Sequence, residues 1–236
     1  MRRFLSIVSL PLLVACVTPE SPNTSQPTST EQRASVTRTG GPQTINDFRA
    51  VVRRVEPVAE RACRSRTRGQ NCDFDIRIDT RTELGANAYQ TYDPSGRPVL
   101  AFTPALLRQM RNRDEVAFAL SHEAAHHIRG HISQTQQTAT AGAILGNVLG
   151  SVIGLDPSGV EATTNIGGTI GARRFSKGFE LEADALGAEI AEAAGYDALR
   201  GVLYFQTAAD PGDRFLGTHP PNADRIRIVR QTVGGR

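Results

Sequence analysis

His122-Glu123-Ala124-Ala125-His126 decides how the rest of this chain is read. The run from Asp114 to about Gly130 has mixed helical spacing, with Val116, Ala119, Leu120, Ala124 and His127 or Ile128 as its inward positions, so the pentad sits on a helix. Histidines at i and i+4 share one helix face, about one turn apart. Both rings can therefore reach one Zn2+, while Glu123 points beside the metal and can hold a water.

A catalytic zinc needs three protein ligands and an open position, and the pentad supplies two. A glycine three residues and a histidine six residues after His126 would be one way to complete the set, but Arg129 and Ile132 stand there. Further on the chain reads Phe179-Glu180-Leu181-Glu182-Ala183-Asp184-Ala185-Leu186-Gly187. Glu180 and Asp184 share a helix face. One carboxylate can bind the metal while the other supports a ligand histidine through its ring N–H. Glu182 faces elsewhere and is the alternative ligand.

These segments resemble the HtpX-, BepA- and LoiP-like zinc peptidases, the gluzincin family that also holds the CAAX prenyl endopeptidases. Asn87-Ala88-Tyr89 is similar to that family's strand before the active-site helix, and Thr218-His219-Pro220 with Arg225 to its late His-Pro segment. The likeness runs from roughly Glu83 to Arg230. It implies His122, His126 and Glu180 as zinc ligands, Glu123 as the catalytic base and Asp184 as the support of a ligand. His219, in a loop after Pro211-Gly212, is a candidate catalytic residue. For the second oxyanion donor, His219, Tyr89 and Arg225 all stay open. The HtpX and prenyl endopeptidase members have transmembrane helices; this chain resembles the lipoprotein and periplasmic branch instead, which argues against prenylated substrates.

Around the site the pattern predicts an α+β, mostly helical, zincin-like metalloprotease domain with a small antiparallel sheet. Apolar positions from Ile45 to Val58 predict a helix over 44–64, capped by Asn46 or Asp47 and kinked at Pro57. Phe74–Asp79 alternates as a strand, and Asn87–Tyr92 and Arg97–Phe102 flank the turn residues Asp93-Pro94-Ser95-Gly96. Pro104 opens a short helix through Met110. His127 points about 100° away from His126 and reads as structural. His131 reads as a cation at a helix end. Gly142, Gly146, Gly150 and Gly154 recur every four residues, and Gly167 and Gly171 repeat the spacing, which predicts a closely packed helical pair. Oligomer contact, membrane contact and a lid are the other readings of this uncharged stretch, residues 139–155.

The N-terminus carries an address. Arg2 and Arg3 precede an apolar run from Phe4 to Ala15, too short for a stable span. Leu13-Val14-Ala15-Cys16 resembles the bacterial lipobox, in which Cys16 is lipidated and becomes the first mature residue. Val17, not Asp, follows it, which by resemblance to known sorting rules favours the outer membrane facing the periplasm. Residues 17–43 are rich in Pro, Ser, Thr, Gln and Gly and read as a flexible tether reaching roughly 30 Å. The expected organisation is a signal peptide over 1–15, a lipidated tether over 16–43 and a zinc metallopeptidase domain over 44–236. Cys63 and Cys72 are then left for a disulfide in an oxidising compartment.

Of 236 residues, 39% are hydrophobic and 22% charged, enough for a packed core. Without Arg2 and Arg3, 25 basic residues face 24 acidic ones, so no field holds polyanions and nucleic acid is excluded as a partner. The expected function is zinc-dependent endopeptidase action on unfolded or extended polypeptides, with misfolded or misassembled envelope proteins as the substrates the resemblance implies. The rival is a zinc-dependent outer-membrane assembly factor or chaperone with little proteolysis; an intact Glu123 favours the enzyme. Hydrolysis of cell-wall peptide amides is a third option.

Overall fold

The structure, a computed structural model, describes residues 41–173, 176–208 and 220–234. The signal segment, Cys16, most of the tether and His219 lie outside the described residues. Gln43, assigned to the tether by composition, already donates its N–H to the carbonyls of Leu107 and Met110.

Helix α1 (Ile45–Arg66) starts at a capping box. The Thr44 hydroxyl accepts from the Asp47 N–H, and Asp47 accepts from the Thr44 N–H. The cap is thus Thr44, two to three positions before the residues expected. Phe48, Val51, Val55 and Ala59 form its buried face, and Pro57 lies within the helix. A disulfide joins Cys63, in the last turn, to Cys72, with Cα atoms 5.7 Å apart. Closing so short a loop stabilises the fold by roughly 2.5–3 kcal/mol.

Strands β1 (Asp75–Ile78), β2 (Ala88–Tyr92) and β3 (Pro98–Phe102) form a sheet in the order β1-β3-β2. The hairpin β2–β3 turns where Asp93 accepts from the N–H groups of Ser95 and Arg97 and Gly96 takes a φ of 82°. The sheet expected to be antiparallel is mixed. β2 runs antiparallel to β3, but β1 pairs with β3 in parallel, Asp75 opposite Val99 and Ile78 opposite Phe102. The reason is burial: every residue of β3 is buried, so its backbone needs partners on both edges, and β1 supplies the second. β2 is left as an edge strand.

Helix α2 (Pro104–Gln109) has Pro104 in its first turn and Thr103 as cap. Helix α3 (Arg113–Arg129) is capped by Asn112 and ended by Gly130 at φ 68°. Val116, Ala117, Leu120, Ala124 and Ala125 are all fully buried, so α3 is apolar on several faces, as a central helix must be. The core around it takes residues from α1, the sheet and α6 (Ser176–Ala193). Helix α7 (Ala198–Gly201), a 3-10 turn over Val202–Gln206 and α8 (Asn222–Gly234) close a smaller cluster of Phe118, Ala188, Ala191, Val202 and Val229.

Between α3 and α6 the chain makes a hairpin of α4 (His131–Val152) and α5 (Pro157–Arg173), which packs chiefly on itself. A Cβ on Gly142 would collide with the carbonyl oxygen of Gly167, one on Gly146 with that of Thr163, and one on Gly171 with that of Thr138. Gly154 is not part of this contact; it takes φ 76° in the turn. With glycines inside, the aliphatic side chains face out: Leu145, Val148, Leu149, Val152 and Ile153 are all more than half exposed. No described helix is long and apolar enough to cross a membrane.

Candidate metal centre

The α3 periodicity puts His122 and His126 on one face, and α6 brings Glu180 against them. Ligand atoms of His122, His126 and Glu180 lie within 4.8 Å of one another. The pairwise separations are 2.9 Å between the two Nε2 atoms, 3.5 Å from His122 Nε2 to Glu180 and 3.3 Å from His126 Nε2 to Glu180. Four-coordinate zinc with bonds near 2.0–2.1 Å needs donors about 3.3 Å apart. Two nitrogens and the Glu180 carboxylate, whose Oε2 faces His122 and Oε1 faces His126, fit that ion.

The close approach of α6 has a local cause. A Cβ on Gly187 would stand 2.9 Å from the His122 backbone nitrogen and 3.0 Å from its Cα. Only glycine lets α6 press on α3 at the level of the pentad. One turn before Gly187, Asp184 is fully buried and accepts from His122 Nδ1–H at 2.9 Å. That bond leaves His122 Nε2 facing the cluster.

Asp184 is in turn gripped by Arg225 of α8. The guanidinium donates through Nε to Oδ2 and through Nη2 to Oδ1, each at 2.7 Å, and stacks 3.8 Å over the Phe205 ring. Nη2 also lies 3.5 Å from Glu180. Burial opposes the charge on Asp184, but Arg225 and His122 outweigh it and hold the carboxyl below the usual carboxylate range. Burial likewise opposes a proton on His122, yet its bonds to Asp184 and Glu180 push its pKa up to about 10. A cation seated among these donors displaces that proton, so binding releases it.

The chain belongs to peptidase family M48. The model of that family matches residues 47–233, most of the chain. No curated protein matches it. The family makes this M48 chain a metallopeptidase, with the His122, His126 and Glu180 group as its possible metal site.

The M48 site opens into a cleft of about 570 Å³, lined among others by Glu123, Phe118, Met110 and Tyr204. Asn87, Ala88, Tyr89 and Gln90, at and before the start of the edge strand β2, form one wall. Glu123 is half-buried in that cleft beside the cluster. Glu182 stands outside the cluster, on the outer side of α6, with a side chain 54% exposed.

Three readings of the sequence change here. Tyr89 was open as an oxyanion donor, but its single hydroxyl proton goes to Asp79, while Arg81 donates to its oxygen. Arg225, open for the same role, is held on Asp184 behind His122. Nothing in the order of residues marked Arg225 as the partner of Asp184, 41 positions away, because the pairing exists only once α8 packs on α6. His127 is a core residue: its Nε2 lies 2.8 Å from the Asn71 carbonyl, and burial lowers its pKa. His131 is not the helix-end cation expected. It is 3% exposed, and burial, with His126 next to it, lowers its pKa to about 3, so the ring is neutral.

Proposed function

We propose that this M48 metallopeptidase is a zinc-dependent endopeptidase of unfolded or extended polypeptides. The observation that carries the reading is the convergence of three zinc-compatible donors in a cleft that also holds Glu123 and has an edge strand as one wall.

His122, His126 and Glu180 hold the zinc. When bound, zinc supplies Lewis acidity, which acidifies water and polarises a carbonyl oxygen. Glu123 takes the proton of the attacking water and then delivers it to the leaving amine. Asp184 and Arg225 keep His122 oriented throughout. The free edge of β2 pairs with an extended substrate backbone, which reads main chain more than side chain and suits broad specificity. Ala119, Ile132 and Tyr204, partly exposed in the cleft, offer apolar surface to substrate side chains.

The cellular setting follows from the N-terminal sequence. Cys16 carries the lipid, and residues 17–43 tether the domain to the outer membrane on its periplasmic side, where misfolded or misassembled envelope proteins are the substrates. Cys16→Ser releases the protein from membranes or leaves its signal uncleaved. Unchanged membrane fractionation, with no acyl mass on the wild type, removes the anchor from the proposal.

The test of the activity is digestion of denatured envelope proteins by the purified chain. Cleavage should stop with a chelator and return with added zinc. Glu180→Ala should lose the metal and Glu182→Ala should retain most of it. Wild-type protein that binds zinc yet never cleaves, while it and Glu123→Gln relieve envelope defects equally, would make the protein an assembly factor.

A further inference from the structure

The two histidines of the metal group are held from behind by different means. His122 leans on a buried carboxylate. The Nδ1 of His126 lies instead 2.9 Å from Nδ1 of His131. In an unbroken helix a residue five positions on would point about 140° away from His126 and could not reach it. The break at Gly130 makes the contact. Its left-handed conformation, φ 68°, ends α3 and restarts the chain as α4, which returns the first residue of α4 to the face of His126.

Burial and stacking hold the ring of His131. It is 3% exposed and stacks on Phe179, the residue before Glu180, with ring centroids 4.3 Å apart and planes 12° from parallel. Its Nε2 points toward Glu182, whose carboxylate oxygen lies 3.7 Å away. The proton positions follow from His126. Its Nε2 faces Glu180 at 3.3 Å and must be bare to bind a metal, so Nδ1 carries the hydrogen. The Nδ1 of His131 is then the acceptor, and the hydrogen of His131 sits on Nε2, toward Glu182.

We infer that His131 is a positioning residue that accepts the His126 Nδ1–H and fixes the tautomer and plane of that ligand, its own ring held by burial and by the stack on Phe179. The inference rests on the metal reading of the site. The ligand pair is therefore uneven. A buried ion pair supports His122, and a neutral imidazole supports His126.

The test measures zinc affinity of the full chain by competition with a chromophoric chelator. His131→Phe keeps a ring against Phe179 but removes the acceptor. His131→Asn places a carbonyl oxygen near the position of Nδ1 and restores it. Loss of such a partner typically weakens metal binding by about 10–100-fold. We expect that loss for Phe and recovery of most of it for Asn. Zinc binding by Phe equal to wild type overturns the inference, because the ring then only fills space, and so does Asn as weak as Phe, because a restored acceptor then does nothing. A wild type that binds no zinc removes the metal reading itself and the inference with it. A second measurement needs no variant: proton–nitrogen spectra of the zinc-loaded, nitrogen-labelled protein should show His126 protonated at Nδ1 and His131 at Nε2. A hydrogen on His131 Nδ1 sinks the proposal.

Discussion

Helices α3 and α6 meet at Gly187, and helices α4 and α5 meet at Gly142, Gly146 and Gly171. In both places glycine brings two backbones closer than any side chain would permit. What lies beside the contact is opposite. Next to Gly187 are buried polar groups, His122, Asp184 and Arg225, covered by Phe205 and the core. Around the hairpin stripe the apolar side chains turn outward, with Val152 76% exposed. A glycine repeat therefore predicts close approach and nothing about which residues the approach buries. The α3–α6 contact also sets a geometry of tenths of an ångström around a metal group, whereas the hairpin contact only zips two helices.

The largest expected effect separates the chemistry from the scaffold. Glu123→Gln keeps the size of the side chain but cannot take a proton, so peptide hydrolysis should fall about 10²–10⁴-fold with zinc still bound. Cleavage at the wild-type rate would defeat the mechanism.

Next is the buried pair behind His122. Asp184→Ala removes both short hydrogen bonds of the buried Arg225 and leaves it only Glu180, 3.5 Å away, which costs up to about 3–5 kcal/mol. Denaturant titration of the variant checks this, and its zinc affinity should fall as well. A variant of wild-type stability would show that Arg225 finds water or another partner.

The comparison itself is tested by one chemical change made in each region. Gly187→Ala and Gly146→Ala each force a methyl into backbone and should each cost about 1–3 kcal/mol. Only Gly187→Ala should also weaken zinc binding and cleavage of a short peptide, because it shifts α6 against His122. If Gly146→Ala slows short-peptide cleavage equally, the hairpin belongs to the active site and the contrast fails.

The smallest effect is at the edge of the fold. Hydrogen bonds from Thr44, with Arg113 beside it, hold the Asp47 carboxyl at about 2, below its ordinary 3.8. Its contribution is full above the unfolded value and is lost as pH falls from about 4 through about 2. Thr44→Ala should cost about 1 kcal/mol at neutral pH and flatten the pH dependence of stability in that window. Urea midpoints at pH 6 and pH 2.5 read both effects. An unchanged pH dependence would assign acid sensitivity elsewhere.

Most helices were legible because their signals are local: Pro104 at a first turn, Gly130 at an end, apolar spacing along α1 and α3. The β2–β3 hairpin was legible from Asp93 to Gly96. The parallel partner of β3 was not, since no residue in β1 says which edge it joins. The cap of α1 was misread by two to three residues because Thr44, Asn46 and Asp47 all have capping side chains, and only the reciprocal Thr44–Asp47 bonds select among them. Tyr89 and Arg225 looked free in sequence because their partners, Asp79 and Asp184, are brought to them by the sheet and by α8.

The sequence by itself determined that His122, Glu123 and His126 share one side of a helix, and that Glu180 and Asp184 share a side of another. Helical periodicity fixes angles within an element to a fraction of a turn, whatever the element later packs against. Only the tertiary structure decided how the two faces meet. Which carboxylate reaches both rings, which one backs His122, that Arg225 closes over the latter and that His131 doubles back onto His126 all depend on the approach of α6 at Gly187 and the turn at Gly130. Those are relations between elements, and they are set by backbone contact and burial rather than by spacing along the chain.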